Sequence, residues 1–278
     1  MTLSKEIAGL LAEDALTVAI EKVRERVKVD PSYKPARHLY IDLLILSGDY
    51  EKADAQCNLA TTFAPEDTVG FAHLRNQLRA MAARRAWFEA GAMPAFPLGP
   101  TERDRAALAA ALADRAGERK LVKAALAVLE DGRGERPMRW NDKLISDFRD
   151  LDDRIPHALE ALTIGGAYLW VDFSRIAAVI VEPIVHPRDL AFRRAQLSLI
   201  GGATAPVLLP AIYQGTGDDP KLLLGRETKW VKETSGITTG RGQRCFLAGD
   251  ELVSLHDATS IGSAVLHKQQ RTRNGKPA

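Results

Sequence analysis

LTVAIEKVRERVKVDP, residues 16–31, and YEKADAQCNLATTFAP, residues 50–65, decide how this chain folds. Leu16, Ala19 and Pro31 of the first stretch fall on Tyr50, Ala53 and Pro65 of the second, at a constant offset of 34 residues. That offset is the period of a tetratricopeptide-type helix-turn-helix repeat. Each repeat is a helix pair that cannot bury its apolar face alone, so repeats stack into a surface suited to holding another polypeptide. Binding is therefore the first function to test.

Working outward from these stretches, Leu16, Ala19, Ile20, Val23 and Val27 follow helical spacing until Pro31 stops the helix. The next helix carries Tyr40, Leu43 and Leu44 and breaks at Ser47-Gly48, with Gly48 suited to a left-handed position and Asp49 to the next cap. Ala19 and Ala53 are small, which allows paired helices to approach closely. A third long helix shows Phe71, Leu74, Leu78 and Met81 on one stripe. Three prolines between Met93 and Pro100 exclude a helix there, and Thr101 with Asp104 reopens one as a capping box. A further helix covers roughly 120–130, with Leu121, Ala125, Leu126 and Leu129 facing inward.

Asp131-Gly132-Arg133-Gly134 marks a change of character. Beyond it, 168–173, 176–182, 207–213, 228–232, 244–247 and 251–255 read as strands, rich in β-branched and aromatic residues. Gly249-Asp250 suits a hairpin turn. Residues 187–199 read as a short amphipathic helix, and Thr239 to Gln243 as a flexible glycine turn. The fold class expected is α+β. A tetratricopeptide-like helical domain spans 1–132. An irregular α+β domain with a bent sheet or partial barrel spans 133–266. A basic tail, read as disordered, spans 267–278.

The chain of 278 residues is 46% hydrophobic and 27% charged, ordinary for a globular protein. The last eleven residues hold Lys268, Arg271, Arg273 and Lys276, so the net charge of +2 conceals a body of net −2. A basic tail on such a body is weak ground for nucleic-acid binding. Acidic and basic residues interrupt the N-terminus, and the apolar runs are too short for membrane helices. With Cys57 and Cys245 forming no disulfide framework, the expected location is the cytoplasm.

No phosphate loop, dinucleotide fingerprint, zinc-protease helix or nucleophile elbow is present. Of the candidates for chemistry, the run Asp142, Asp147, Asp150, Asp152 and Asp153 could serve a metal-dependent hydrolase. Lys143, Arg149 and Arg154 interleave it, which favours an ion-paired surface element, as mixed-sign runs usually mark exposed segments. His186 lies near Asp189, and Arg244 beside Cys245 could lower that thiol's pKa. Neither suggests an oriented catalytic pair, and no histidine stands at metal-ligand spacing from another ligand. No cofactor or metal site is expected.

The second half is distinctive for Trp, Arg and Asp at strand and turn ends. Arg37, Tyr40, Trp140, Asp150, Trp170, Arg188, Asp189, Arg226 and Trp230 are the candidate partner-binding residues, since Trp, Tyr and Arg are enriched in binding hot spots. The competing reading is that Arg–carboxylate pairs pin irregular loops internally.

Arg149-Asp150-Leu151-Asp152-Asp153, Gly166 to Trp170, Pro187 to Ala195 and Leu224 to Trp230 follow a helical opening in this order. As an ordered set they resemble the ImpE/SciE family, also called TagJ; Phe192 stands where that pattern has Trp. The resemblance spans nearly the whole chain except the basic tail. It implies a non-enzymatic cytoplasmic adaptor of bacterial type VI secretion. Such an adaptor would bind the N-terminal helix of the small sheath subunit (TssB/VipA type), with an indirect link to the ClpV AAA+ ATPase. No catalytic residues carry over. Two surfaces are available for a helix: the inner face of the helical half, and the junction with the second half.

Overall fold

The computed structural model describes residues 2–202 and 204–264; the basic tail at 267–278 lies outside them. Seven helices come first: α1 (Leu3–Ala12), α2 (Leu16–Val29), α3 (Lys34–Leu46), α4 (Tyr50–Phe63), α5 (Thr68–Ala90), α6 (Glu102–Arg115) and α7 (Arg119–Arg133). The local signals explain their ends. α2 and α4 stop just before Pro31 and Pro65, Gly48 takes φ 79°, and the Asp49 side chain accepts from the Lys52 amide. Thr101 and Asp104 form the expected capping box of α6. Ala19 and Ala53 are fully buried where neighbouring helices meet. On α7 Leu126 and Leu129 face inward as expected, whereas Leu121 points outward and its neighbour Val122 is buried instead.

The strands follow: β1 (Met138–Trp140), β2 (Lys143–Ile145), β3 (Phe148–Asp150), β4 (Ala158–Thr163), β5 (Tyr168–Asp172), β6 (Ile176–Val181), β7 (Phe192–Leu199) and β8 (Thr204–Pro210). After a short helix, α8 (Pro220–Leu223), come β9 (Thr228–Lys232), β10 (Thr238–Gly242), β11 (Cys245–Ala248), β12 (Glu251–Ser254) and β13 (Ser260–Ser263). Eight strands form one sheet in the order β2-β1-β13-β6-β7-β8-β4-β5, antiparallel throughout. β12-β11-β3 and β10-β9 form two smaller sheets. The fold class is α+β.

The large sheet is covered on both faces, because successive side chains of a strand point to opposite sides. On β4, Ala158 and Leu162 join the core shared with the helices, while Leu159 and Ala161 join the core that holds Phe148 of β3 and Phe246 of β11. The helix-side core runs from Ile7 in α1 to Leu224, so both halves of the chain share it. The proline-rich stretch after α5 seals the β5 edge: the Ala95 amide donates to Tyr168 O and the Trp170 amide to Ala95 O.

Two readings are corrected. Residues 187–199 are not a helix: Pro187–Leu190 is a single 3-10 turn, and β7 lies inside the sheet between β6 and β8. Its Ala195 and Leu197 point to the core while Gln196 is exposed, a period of two. Residues 239–243 are not a free turn, since β10 pairs along its length with β9. Among the described residues no helix is long and apolar enough to cross a membrane.

Candidate functional site

The helical half meets the sheet through a buried polar chain. Arg84 lies on α5, on the turn facing β4. Its Nε and Nη2 donate to the two carboxylate oxygens of Glu160 at 2.8 and 3.2 Å, and its Nη2 also reaches Ile212 O at 3.2 Å. Arg244, just before β11, donates to the same carboxylate from the other side and approaches Asp150 at 3.4 Å. Tyr168 donates to Glu160 at 2.6 Å and receives Trp170 Nε1 at 2.7 Å; Tyr213 donates to Asp150 at 2.7 Å. Burial alone would raise the Glu160 carboxyl, but the Arg244 and Arg84 guanidiniums hold it below the usual range. Burial prevails at Asp150, which is pushed up to about 7 against the pull of Arg244.

A second joint ties α6 to β5. His157 Nε2 lies 2.9 Å from Asp104, and Arg103 grips both oxygens of Asp172 at 2.8 and 2.9 Å. Asp104, His157 and Asp172 are buried within mutual metal-ligand reach. However, Arg103, Thr101 and Ser174 already donate to Asp172. The bidentate guanidinium supplies the positive charge a cation would bring. The donors fit a structural lock. Burial opposes ionisation of Asp172, and the Arg103 and Ser174 donors overcome it, leaving its pKa at about 2.

The acidic run is ion-paired as expected, but it is not all at the surface, since Asp150 and Asp152 are buried. Asp147 accepts from Arg133 and the Arg136 amide. Asp152, buried like Asp150, accepts from Arg154 and the Gly240 amide, and Asp153 from the Thr238 amide. These carboxylates turn to separate protein partners. Asp189 accepts from the Val185 and His186 amides and caps its 3-10 turn. The Cys245 thiol is raised by burial, not lowered by Arg244.

Most of the candidate partner-binding residues face inward. Tyr40, Trp140, Asp150, Trp170 and Asp189 are buried. Arg37 is buried too, donating to Gln56 and Pro31 O and lying over Phe63. Arg188 reaches from its turn to Asp42 on α3 at 2.7 Å. Arg226 donates to Leu11 O beside α1, and Trp230 packs edge-on to Tyr213 while 37% exposed. Arg188, Arg226 and Trp230 alone among the nine reach solvent. Arg84, Arg103, His157, Glu160, Asp172 and Arg244 escaped the sequence reading because their charged partners lie 53 or more residues away. The one local signal was a Glu on the helix-facing side of β4, between Ala158 and Leu162.

The inner face of the helical half is not free. α3 is buried nearly all round from Tyr40 to Leu46, and Ala191, Phe192 and Leu224 pack in its core. An open cleft of about 370 Å³ remains at the junction, between α5, α6 and the β9–β10 hairpin. Trp87, Phe88, Ala107, Ala110, Ala111 and Ile237 give it an apolar lining, and Asp114, Arg115, Asp153, Arg154 and Glu233 a charged one.

Fold and site together define an α+β scaffold whose helical half is locked onto one face of a sheet, with a mixed apolar and charged cleft at the joint. Residues 142–262 match the family model of the ImpE protein, so the resemblance drawn from the sequence is borne out. The chain is 28% identical over 255 residues to the type VI secretion system accessory component TagJ of Pseudomonas aeruginosa, covering 91% of this chain and 89% of that protein. The crystal structure of protein VPA1032 from Vibrio parahaemolyticus is similar with a TM-score of 0.85 at 26% identity, over 92% of this chain and 96% of that one.

Proposed function

We propose that this chain is a non-enzymatic, cytoplasmic accessory protein of a type VI secretion system. It binds the N-terminal helix of the small sheath subunit (TssB/VipA type) and so influences sheath assembly or ClpV-linked recycling. The observation that carries this reading is the similarity to TagJ along both halves of the chain. We further propose that residues 1–132 and 133–266 act as one composite unit and that the helix enters the cleft between α5, α6 and the β9–β10 hairpin. An amphipathic helix lays apolar side chains into a groove and keeps its polar face outside. Trp87, Phe88, Ala110 and Ile237 suit the apolar side chains, and Arg115, Arg154, Asp114 and Glu233 suit the polar flanks. The alternative of a hydrolase built on Asp142 to Asp153 loses support because Asp147, Asp150, Asp152 and Asp153 are engaged by separate protein donors.

Co-purification tests the proposal. Tagged protein should retain the full-length small sheath subunit from the same genome and lose it when the subunit's N-terminal helix is deleted. Equal retention of both forms contradicts it.

A further inference from the structure

α7 carries its charges against its own dipole. Arg119 and Lys120 stand in the first turn, where the helix end is positive, and Glu130 and Asp131 in the last, where it is negative. Arg133 is the one cation of the last turn, and Asp147 engages it. Among the described residues neither Lys120 nor Asp131 takes part in an ion pair within the chain. Between them, Leu121, Ala124 and Val128 recur at i, i+3 and i+7 and form one stripe. Leu121 is 56% exposed and Val128 62% exposed.

We propose that this stripe is the contact face of a two-fold dimer, its occupant a second copy of this chain. Pairing α7 antiparallel with itself sets Leu121 against Val128 of the second copy and, to within two residues' rise (about 3 Å), Lys120 beside the copy's Asp131. Ala124 lies near the axis, where a small side chain lets two helices approach. A two-fold contact is self-complementary, so each favourable pair forms twice. The two dipoles then run oppositely, and Lys120 and Asp131 of each copy fall beside Asp131 and Lys120 of the other. The face is distinct from the cleft proposed for the sheath helix, so the two proposals stand or fall separately.

Sedimentation velocity on the full chain, from about 1 to 100 µM, spans the range of weak to moderate dimers. The wild type should show a concentration-dependent dimer. Val128→Glu should sediment as a monomer with an unchanged circular dichroism spectrum. Lys120→Asp and Asp131→Lys should each weaken the dimer about fivefold, as expected for a twice-repeated surface ion pair, and the double variant should restore it. A wild-type monomer throughout, an undiminished Val128→Glu dimer, or a double variant as weak as the sum of the singles would overturn the proposal.

Discussion

Arg84 on α5 and Glu160 on β4 are joined by two hydrogen bonds, at 2.8 and 3.2 Å, with both side chains almost wholly shielded from water. They tie the helical half to the sheet through a buried charge pair. Glu160 is also the shared anion of two guanidiniums, so the tie is only as strong as its charge balance. Glu160→Gln leaves Arg84 and Arg244 buried with their common counter-charge gone. The expected loss is about 3–5 kcal/mol of unfolding free energy, read from urea denaturation. A loss within the ordinary surface range would mean that the joint opens to water.

The lock between Arg103 and Asp172 has a pH signature. Its carboxyl sits at about 2 in the fold against an ordinary value of 3.8, so ionised Asp172 favours the folded state. The sign follows: its contribution is present above about pH 4 and disappears as pH falls toward 2. Asp172→Asn should cost about 2 kcal/mol at pH 7, and the gap to wild type should close near pH 2. An equal gap at both pH values would place the effect in packing rather than charge.

Both thiols should be inert in the native protein. Burial pushes Cys57 up to about 12 and also raises Cys245. A thiol reagent at pH 8 should label neither within the time that labels both in guanidinium, because the thiolate is the reacting species. Rapid native labelling of Cys57 would show that the α3–α4 pair opens readily.

Gly242 holds the base of the β9–β10 hairpin, one wall of the proposed cleft. It takes φ +82°, and an added Cβ would run into the backbone oxygen of Glu227. Gly242→Ala should therefore cost about 1–3 kcal/mol, from a strained backbone and a contact that cannot yield. Thermal unfolding checks this, with Gly236→Ala as the comparison: it has a similar φ but open space around it.

The helical half was legible because its signals are local. Pro31, Gly48, Asp49, Pro65 and Thr101 each act within one turn, and the 34-residue offset relates whole helices. Even there, helical spacing reads Leu121 as inward where its apolar neighbour Val122 is the buried one, because the choice rests on packing against the distant Ile237. The strands were legible where apolar alternation was strong and illegible where a distant partner made them. Arg193, Arg194 and Gln196 disguised β7, and Gly240 and Gly242 disguised β10, whose conformation comes from pairing with β9. The Trp, Arg and Asp residues were noticed, and of the two readings open for them most follow the internal one. Whether Asp150 faces water or Tyr213 and Arg244 depends on contacts 63 and 94 residues along the chain, which spacing does not record.

The most direct test of the central claim is a calorimetric titration with a peptide carrying the N-terminal helix of the small sheath subunit, on wild type and on Ala111→Glu. Ala111 is half-buried and lines the cleft beside Trp87 and Phe88. A glutamate there places a charge where the helix would bury apolar surface. Binding by the wild type, lost in a variant of unchanged thermal stability, is the predicted result. No heat from the wild type at high micromolar peptide, or equal binding by both proteins, would contradict it.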